Sequence, residues 1–355
     1  QEAETVLEHV SYQVGRTGAV TPVANLKPVS LAGTIVKRAT LHNANEIDRL
    51  DLHEGDTVMV EKGGEIIPKI IAINIAKRKV GAPKINYPKN CPECGTHLIR
   101  EEGEVAYYCP NAEECPPQII GRIQHFIGRK AMNIDGLGNE TIESFYKNDL
   151  IRSITDLYTL HEKSDVLKQL DRFGDRSIDK LLAGIEKSKQ MPFEKLLFGL
   201  GIRYVGETVA KKLATYFKNI DKLMKANLEE LMLVDEIGGR IAESVIHHFE
   251  EPQNVQQIAE LRQYGLQFEA EERLVSLEST KLEGKTFVIS GVFENHSREE
   301  LKELIEKNSG KILSSISAKL NYLLAGDHMG PAKLEKAKKL NIAIISEEEF
   351  VEMIR

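Results

Sequence analysis

All four cysteines of the chain fall in one window of 25 residues: Cys91-Pro-Glu-Cys94, fourteen residues, Cys109, five residues, then Cys115. Thiolates in two close pairs are a ligand set for a tetrahedral zinc ion. Gly95, directly after the second cysteine, permits the backbone turn that aims amides at sulfur. With cysteine at every ligand position no site is left for water or substrate, so such a zinc is structural. Two redox disulfides, or buried free thiols, are the competing reading of the same residues. A second chemistry is anion binding. Glycine turns recur at Gly136 and Gly138, Gly174, Gly206, and Gly238 and Gly239, each ahead of a helix-like run. A helix start offers unpaired N–H groups and the positive end of a dipole, and glycine lets a phosphate come close.

These groups need elements to hold them. Residues 1–80 carry short β-branched runs at 20–23, 33–36, 57–60 and 66–75, punctuated by Gly15, Gly18, Gly33, Gly55, Gly63 and Gly64. That rhythm predicts a small five-stranded oligonucleotide-binding (OB) barrel, with a fragment of a β-sandwich as the alternative. The cysteine window sits in residues 81–118 as a four-cysteine zinc ribbon. Residues 119–268 turn helical, and their glycine turns are spaced 38, 32 and 32 residues apart when counted from Gly136. A near-constant period marks repeated units, here helix-hairpin-helix pairs that hold backbone phosphates without reading bases. The second unit, with Gly174 alone, is degenerate. Arg203, Lys211, Lys212 and Arg240 supply local positive charge beside these turns, or simply form a solvated helix face.

Residues 269–283 are polar and acidic and read as a linker. Residues 284–355 give the order βαββαβα, with a capping box at Ser297-Arg-Glu-Glu300 and Ser346-Glu-Glu-Glu349 capping the last helix, which predicts a small parallel sheet covered by helices. The chain is thus a multidomain α+β protein of 355 residues. Forty-seven basic against fifty-four acidic side chains give a net charge of −7. Bulk charge therefore does not drive nucleic-acid binding, which must come from local patches and oriented amides. No apolar run reaches the roughly 18 residues that a membrane span needs, and the run Gln1-Glu2-Ala3-Glu4, with neither a basic start nor an apolar core, does not read as a signal peptide. The start at Gln1, without Met, suggests a cut end and an intracellular fragment.

Taken together, these residues resemble the C-terminal portion of the bacterial NAD-dependent DNA ligases, essentially end to end. The runs Gln13-Val-Gly-Arg-Thr-Gly18, Thr21-Pro-Val-Ala24 and Arg38-Ala-Thr-Leu-His-Asn43 look like that family's barrel. The four-cysteine zinc finger, four hairpin units and a terminal α/β BRCT domain follow in the family's order. The resemblance implies sealing of nicks in duplex DNA, in replication and repair. AMP passes from NAD to an enzyme lysine, then to a 5′-phosphate, and is displaced by a 3′-hydroxyl, with magnesium and NAD bound mainly outside this segment. It also implies a bacterial, cytoplasmic protein acting as a monomer on nicked double-stranded DNA, with the BRCT domain contacting DNA or protein.

The family's adenylated lysine lies in Lys-x-Asp-Gly, a string absent here; the nearest, Asn133-Ile-Asp-Gly136, has Asn at the nucleophile. No catalytic residue is therefore expected in this chain. By the resemblance, Arg16, Thr17, His42, Asn43 and Lys62 face DNA, Arg16 being presented between two glycines; His42 and Asn43 equally suit an ordinary turn. Glu61-Lys-Gly-Gly-Glu65 stands where the family commonly has Arg-Ala-Gly-Asp, so Lys62 takes over that contact or it is lost. Ser290, Gly291 and Lys333 resemble a BRCT phosphate pocket, or else a strand end and a solvated lysine. The chain has no Trp, and Phe350 takes the place in the last helix where many BRCT domains carry one. Two further readings compete: a non-enzymatic DNA-binding scaffold that recruits partners, and a hairpin nuclease subunit, for which no convincing set of metal-binding carboxylates is present.

Overall fold

The computed structural model describes residues 2–62, 67–170, 173–270, 278–313 and 315–355. Its contacts divide the chain into two units, residues 1–189 with 199–201, and residues 190–198 with 202–355. The first unit begins with five strands: β1 (Glu2–Val14), β2 (Ala19–Leu31), β3 (Thr34–Thr40), β4 (Thr57–Glu61) and β5 (Lys69–Ile73). In β2, Val20, Ala24 and Leu26 are buried between partly exposed neighbours, and Val58 and Val60 repeat this in β4. That two-residue period puts one face of each strand on a core.

Antiparallel pairs β1–β2, β2–β3, β1–β4 and β4–β5, with a parallel contact of β3 and β5 at Thr40 and Lys69, close the sheet on itself. Closure decides for the OB-like barrel over a sandwich fragment. Leu7, Leu26, Leu41, Leu52 and Val58 fill it, and Ile85, beyond residue 80, joins the same core. Helix α1 (Ala44–Leu50) bridges β3 and β4 and buries Ile47. Gly63, Gly64, Glu65 and Ile66, which the sequence reading placed in the barrel, lie outside the described residues.

A two-residue strand of the cysteine segment, β6 (Tyr107–Tyr108), adds to β2, pairing Tyr108 with Ala19 and Tyr107 with Val20. The helices α2 (Pro116–Ile127), α3 (Asn139–Lys147), α4 (Ser164–Leu167) and α5 (Asp175–Ser188) complete the first unit. In α5, Ile178, Leu181 and Ile185 form a buried stripe at helical spacing. The turn before α3 interlocks with α5 through two glycines. A side chain at Gly136 would lie 2.9 Å from the Leu181 Cα, and one at Gly184 would strike the Asp135 carbonyl.

The second unit holds α6 (Phe193–Gly199), whose last residue clusters with the first unit, then α7 (Glu207–Phe217), α8 (Ile220–Lys225), α9 (Leu228–Met232), α10 (Gly239–Glu250) and α11 (Pro252–Gln263). It ends in β7 (Thr286–Ser290), α12 (Arg298–Lys307), β8 (Lys311–Ile312), β9 (Tyr322–Ala325), α13 (Pro331–Lys339), β10 (Ala343–Ile345) and α14 (Glu347–Ile354). The sheet order is β10-β9-β7-β8 and every pair is parallel, as the βαββαβα pattern predicts. Ser297 forms the capping box read from sequence, and Ser346, read as a cap, forms one as well. Phe350 is fully buried and meets the Phe287 ring at 5.8 Å, so it fills the core without a Trp.

Besides Ile85 in the barrel core, the boundary of the last module differs from the sequence reading. Residues 278–283, read as linker, pack on this last module: Leu282 is fully buried in its core, and the Glu278 amide donates to the Lys307 carbonyl at 2.7 Å. The polar composition of the segment hides a single apolar anchor. Residues 271–277 of that linker lie outside the described residues. Among the described residues no helix is long and apolar enough to cross a membrane.

Candidate nucleic-acid interface and metal centre

The four cysteine sulfurs all lie within 4.8 Å of one another, with Cys91 and Cys115 at 3.9 Å and Cys94 and Cys109 at 3.5 Å. A disulfide needs about 2.05 Å. Tetrahedral zinc with sulfur at about 2.3 Å sets its ligands roughly 3.8 Å apart, which these separations match. Burial pushes the Cys115 thiol well above its usual value and that of Cys109 up to about 11. Burial acts upward on Cys94 too, but hydrogen bonding, chiefly from Thr96, brings it down to about 6. The Cys109 and Cys115 thiols, raised by burial, would lose their protons most readily beside a bound cation. The cluster is a structural zinc site of four sulfurs.

This centre is tied to the barrel. The Cys109 amide donates to the Gly18 carbonyl at 2.8 Å, and the Gln118 side chain donates to the Cys109 carbonyl at 3.1 Å. Gly18 has φ +85°, and a Cβ there would lie 2.5 Å from that same carbonyl. Tyr87 stacks on Tyr107 at 4.9 Å, meets Tyr12 edge-on at 5.2 Å, and donates to the Val20 carbonyl at 2.6 Å. The Gly15–Gly18 turn is therefore held from the metal side.

The same turn presents Arg16, whose side chain crosses two glycines. A Cβ on Gly121 would lie 2.7 Å from the Arg16 Cβ, and one on Gly201 would lie 3.2 Å from Nη1. Burial against them lowers the Arg16 pKa, although the residue keeps substantial exposure. Arg16 lines a recess of about 580 Å³ together with Gln124, His125, Asn139 and Glu143. Asn139 is the first residue of α3, so this arginine and the α3 N-terminus share one recess. Thr17, beside it, is exposed.

The other barrel candidates have local tasks. Asn43 caps α1, its side-chain oxygen accepting from the Glu46 amide at 3.2 Å. His42 is exposed and left-handed (φ 56°), its amide donating to Thr40 Oγ1 at 3.0 Å. Lys62 Nζ donates to Thr34 Oγ1 at 3.0 Å. Asn43 is thus placed as the turn alternative requires, while the His42 ring faces outward.

The glycine turns form a repeat more regular than the sequence shows. Gly138, Gly174, Gly206 and Gly238 are the N-caps of α3, α5, α7 and α10, with φ of −115°, −106°, −78° and −88°. Aligned on these caps the spacings are 36, 32 and 32 residues. Gly136, from which the sequence count started, belongs instead to the packing against Leu181. The residue two before the cap is left-handed wherever described: Gly136 (φ +87°), Tyr204 (φ 65°) and Glu236 (φ 65°). Arg172, at that place in the second unit, lies outside the described residues. The residue before the cap is a buried apolar one, Leu137, Val205 or Ile237, in the other three.

None of the four cap glycines needs its φ to be glycine, and a Cβ at any of them meets nothing within 4 Å. Ser, Asp or Asn would cap at least as well. The molecule itself therefore gives no reason for glycine there, whereas an anion arriving from outside does. The second unit departs from the rest: the Gly174 amide donates to Ser177 Oγ at 3.0 Å, so its helix start is partly satisfied from within. Gly239, the first residue of α10, is likewise open.

The cationic candidates divide. Lys212 is committed to Glu236 at 2.7 Å and Asp235 at 3.6 Å, whereas Lys211 is exposed. The guanidinium carbons of Arg203 and Arg240 lie 4.8 and 4.5 Å from the centre of the Tyr204 ring. Tyr204 was missed by sequence reasoning, because its partner Arg240 is 36 residues away. In the last module Ser290 is buried, and Gly291 (φ +104°) is required by close approach to the Gly326 carbonyl. Lys333 lines a recess with Lys336, Val288 and Ile316, of which Ser290 and Gly291 are not part.

Comparison with known proteins agrees with this architecture. Residues 4–82 match the family described as NAD-dependent DNA ligase OB-fold domain, and residues 90–116 the NAD-dependent DNA ligase C4 zinc finger domain. Residues 195–258 match the helix-hairpin-helix motif and residues 277–354 the BRCA1 C Terminus (BRCT) domain. A protein of Cytophaga hutchinsonii named DNA ligase is 61% identical over 355 residues, all of this chain and 53% of the relative. Relatives of the same name from Flavobacterium johnsoniae and Phocaeicola vulgatus are 58% and 57% identical, over 99% and 100% of this chain and 52% and 53% of their own lengths. The chain spans about half the length of the curated relatives it matches.

Proposed function

We propose, taking as premise this chain's likeness to one half of the NAD-dependent DNA ligases, that it is the part of a nick-sealing enzyme that grips duplex DNA. The observation that carries the reading is the set of glycine-capped helix starts, of which those at Gly138, Gly206 and Gly238 are open while that at Gly174 is partly satisfied from within, and one of which shares a recess with Arg16. Contacts of this kind bind phosphate and ignore base identity, and nicks occur in any sequence. A protein of net charge −7 achieves such binding only by local presentation. Arg16, Thr17, His42 and Lys62 on the barrel, and Gly138, Gly206, Gly238, Gly239, Arg203 and Lys211 on the hairpins, are assigned to DNA. Asn43, Gly136 and Lys212 are assigned to structure. Zinc holds the ribbon that fixes the Arg16 turn.

In the parent enzyme NAD and magnesium supply the adenylation chemistry. The lysine that the resemblance assigns to that step lies in a Lys-x-Asp-Gly string, which this sequence does not contain. This chain by itself is therefore assigned binding and not self-adenylation, acting as a monomer in the bacterial cytoplasm. The test is a fluorescence titration of nicked and intact duplex across a salt series. Binding whose logarithm falls steeply with log salt supports the reading, and each phosphate held contributes about 0.9 to the slope. Absence of duplex binding at low salt would refute it. Incubation with NAD and magnesium is expected to leave no covalent AMP adduct.

A further inference from the structure

Two cations normally avoid sharing one small region, yet the Arg203 and Arg240 guanidinium carbons lie 4.8 and 4.5 Å from a single ring centre, that of Tyr204. The arginines come from different hairpins. Arg203 stands three residues before the Gly206 cap, and Arg240 two residues after the Gly238 cap. Tyr204 holds the second directly, its hydroxyl oxygen accepting from Arg240 Nη2 at 2.7 Å. The backbone joins in, because Ser244 Oγ of α10 donates to the Arg203 carbonyl at 2.7 Å. Tyr204 is 39% exposed, so burial does not account for an aromatic residue here. Its backbone is left-handed (φ 65°), a conformation that disfavours any residue with a side chain.

The acidic residues of both turns have lysine partners within the module, Glu207 at 2.6 Å from Lys195, and Glu236 and Asp235 at 2.7 and 3.6 Å from the one Lys212. Two guanidinium groups from two hairpins are thus gathered on one partly exposed ring. We infer that Tyr204 is a positioning residue that joins Arg203 and Arg240 into one phosphate-binding cluster, coupling the third and fourth hairpins as a single grip on the DNA backbone. This rests on the DNA-binding reading above and goes beyond it by assigning a residue that no glycine or charge pattern marks. Cation–π contact and the hydroxyl bond fix two long side chains that would otherwise disperse.

The experiment titrates a nicked duplex over a salt series with the parent chain, Tyr204→Gly, Tyr204→Phe, Arg240→Gln and the double variant Tyr204→Gly/Arg240→Gln. Glycine suits the left-handed position, so Tyr204→Gly is expected to keep or raise the thermal midpoint while its log–log salt slope becomes shallower by about one to about two. Tyr204→Phe keeps the ring and is expected to lose less. On the Arg240→Gln background the tyrosine has one charge fewer to place, so adding Tyr204→Gly is expected to weaken binding by a smaller factor than in the parent. A Tyr204→Gly slope equal to the parent's, or equal fold losses on both backgrounds, would overturn the inference and leave the DNA-binding reading standing. Failure of the parent chain to bind duplex would overturn both.

Discussion

Replacing Gly206 by Asp sets folding and DNA binding against each other. The position has φ −78°, open to any residue, and a Cβ there meets nothing within 4 Å. Asp is a slightly better N-cap than Gly, and an acidic group at a helix start gains about 0.3–1 kcal/mol from the dipole. The thermal midpoint of Gly206→Asp should therefore stay level or rise. A phosphate seated on the α7 amides would lie about 5 Å from the new carboxylate, where repulsion between unit charges is about 0.8 kcal/mol in water and about 3 kcal/mol at an effective dielectric of 20. Those limits correspond to a Kd raised about fourfold to about 150-fold. Gly206→Ser, which adds a cap without a charge, separates the two effects and should bind close to the parent. The assay is a titration of fluorescent nicked duplex at low salt, beside thermal melts of all three proteins. If Gly206→Asp binds as tightly as the parent, no phosphate approaches this cap and the argument from open glycines fails.

Three other outcomes can be checked. Burial holds His248, beside Phe249 and Asn254, down to about 4, with His247 adding to the shift. A base with a depressed folded pKa stabilises the fold above its unfolded value near 6.5, and that stability is lost as pH falls towards 4. Unfolding free energies of the parent at pH 7.5 and 5 should thus differ by about 2 kcal/mol from this group, and by clearly less in His248→Gln. Atomic emission should find one zinc per chain, and Cys115→Ser should lose the metal and lower the melting temperature of the barrel, because β6 pairs with β2 and Cys109 holds Gly18. Gly121→Ala forces a Cβ to 2.7 Å from the Arg16 Cβ; chemical denaturation should show about 1–3 kcal/mol of lost stability, and titration should show weaker duplex binding.

What could be read from the sequence was local. The cysteine ligands lie within one short window, and the Ser297 and Ser346 capping boxes span four residues each, so their chemistry is printed contiguously. β1 was not legible, although it forms the barrel's longest antiparallel pairing with β2. A register shift between Leu7 and His9 breaks the alternation by which a strand announces itself. Gly136 and Gly138 look equivalent in sequence, and only the approach of Leu181 separates a packing glycine from an open cap. Lys212 looks like a DNA-facing lysine until Asp235 and Glu236 are brought beside it from another turn. In each case the missing information was a contact between distant segments.

If the proposed DNA-binding role holds, the seating of Arg16 on Gly121 and Gly201 has a consequence for how this molecule would meet a damaged strand. Fixing a free arginine side chain on binding costs about 2 kcal/mol in rotamer entropy, and here much of that cost is incurred during folding. Seated against two glycines, the guanidinium has less room to follow a displaced phosphate than a side chain standing free in solvent. Geometry then has to be supplied by the DNA. A backbone that bends to bring its phosphate to the arginine binds, and one too stiff to do so is left behind. On the DNA-binding reading proposed above, a single seated charge would act as a gauge of local deformability, a duplex interrupted by a nick being softer at that point than an intact one.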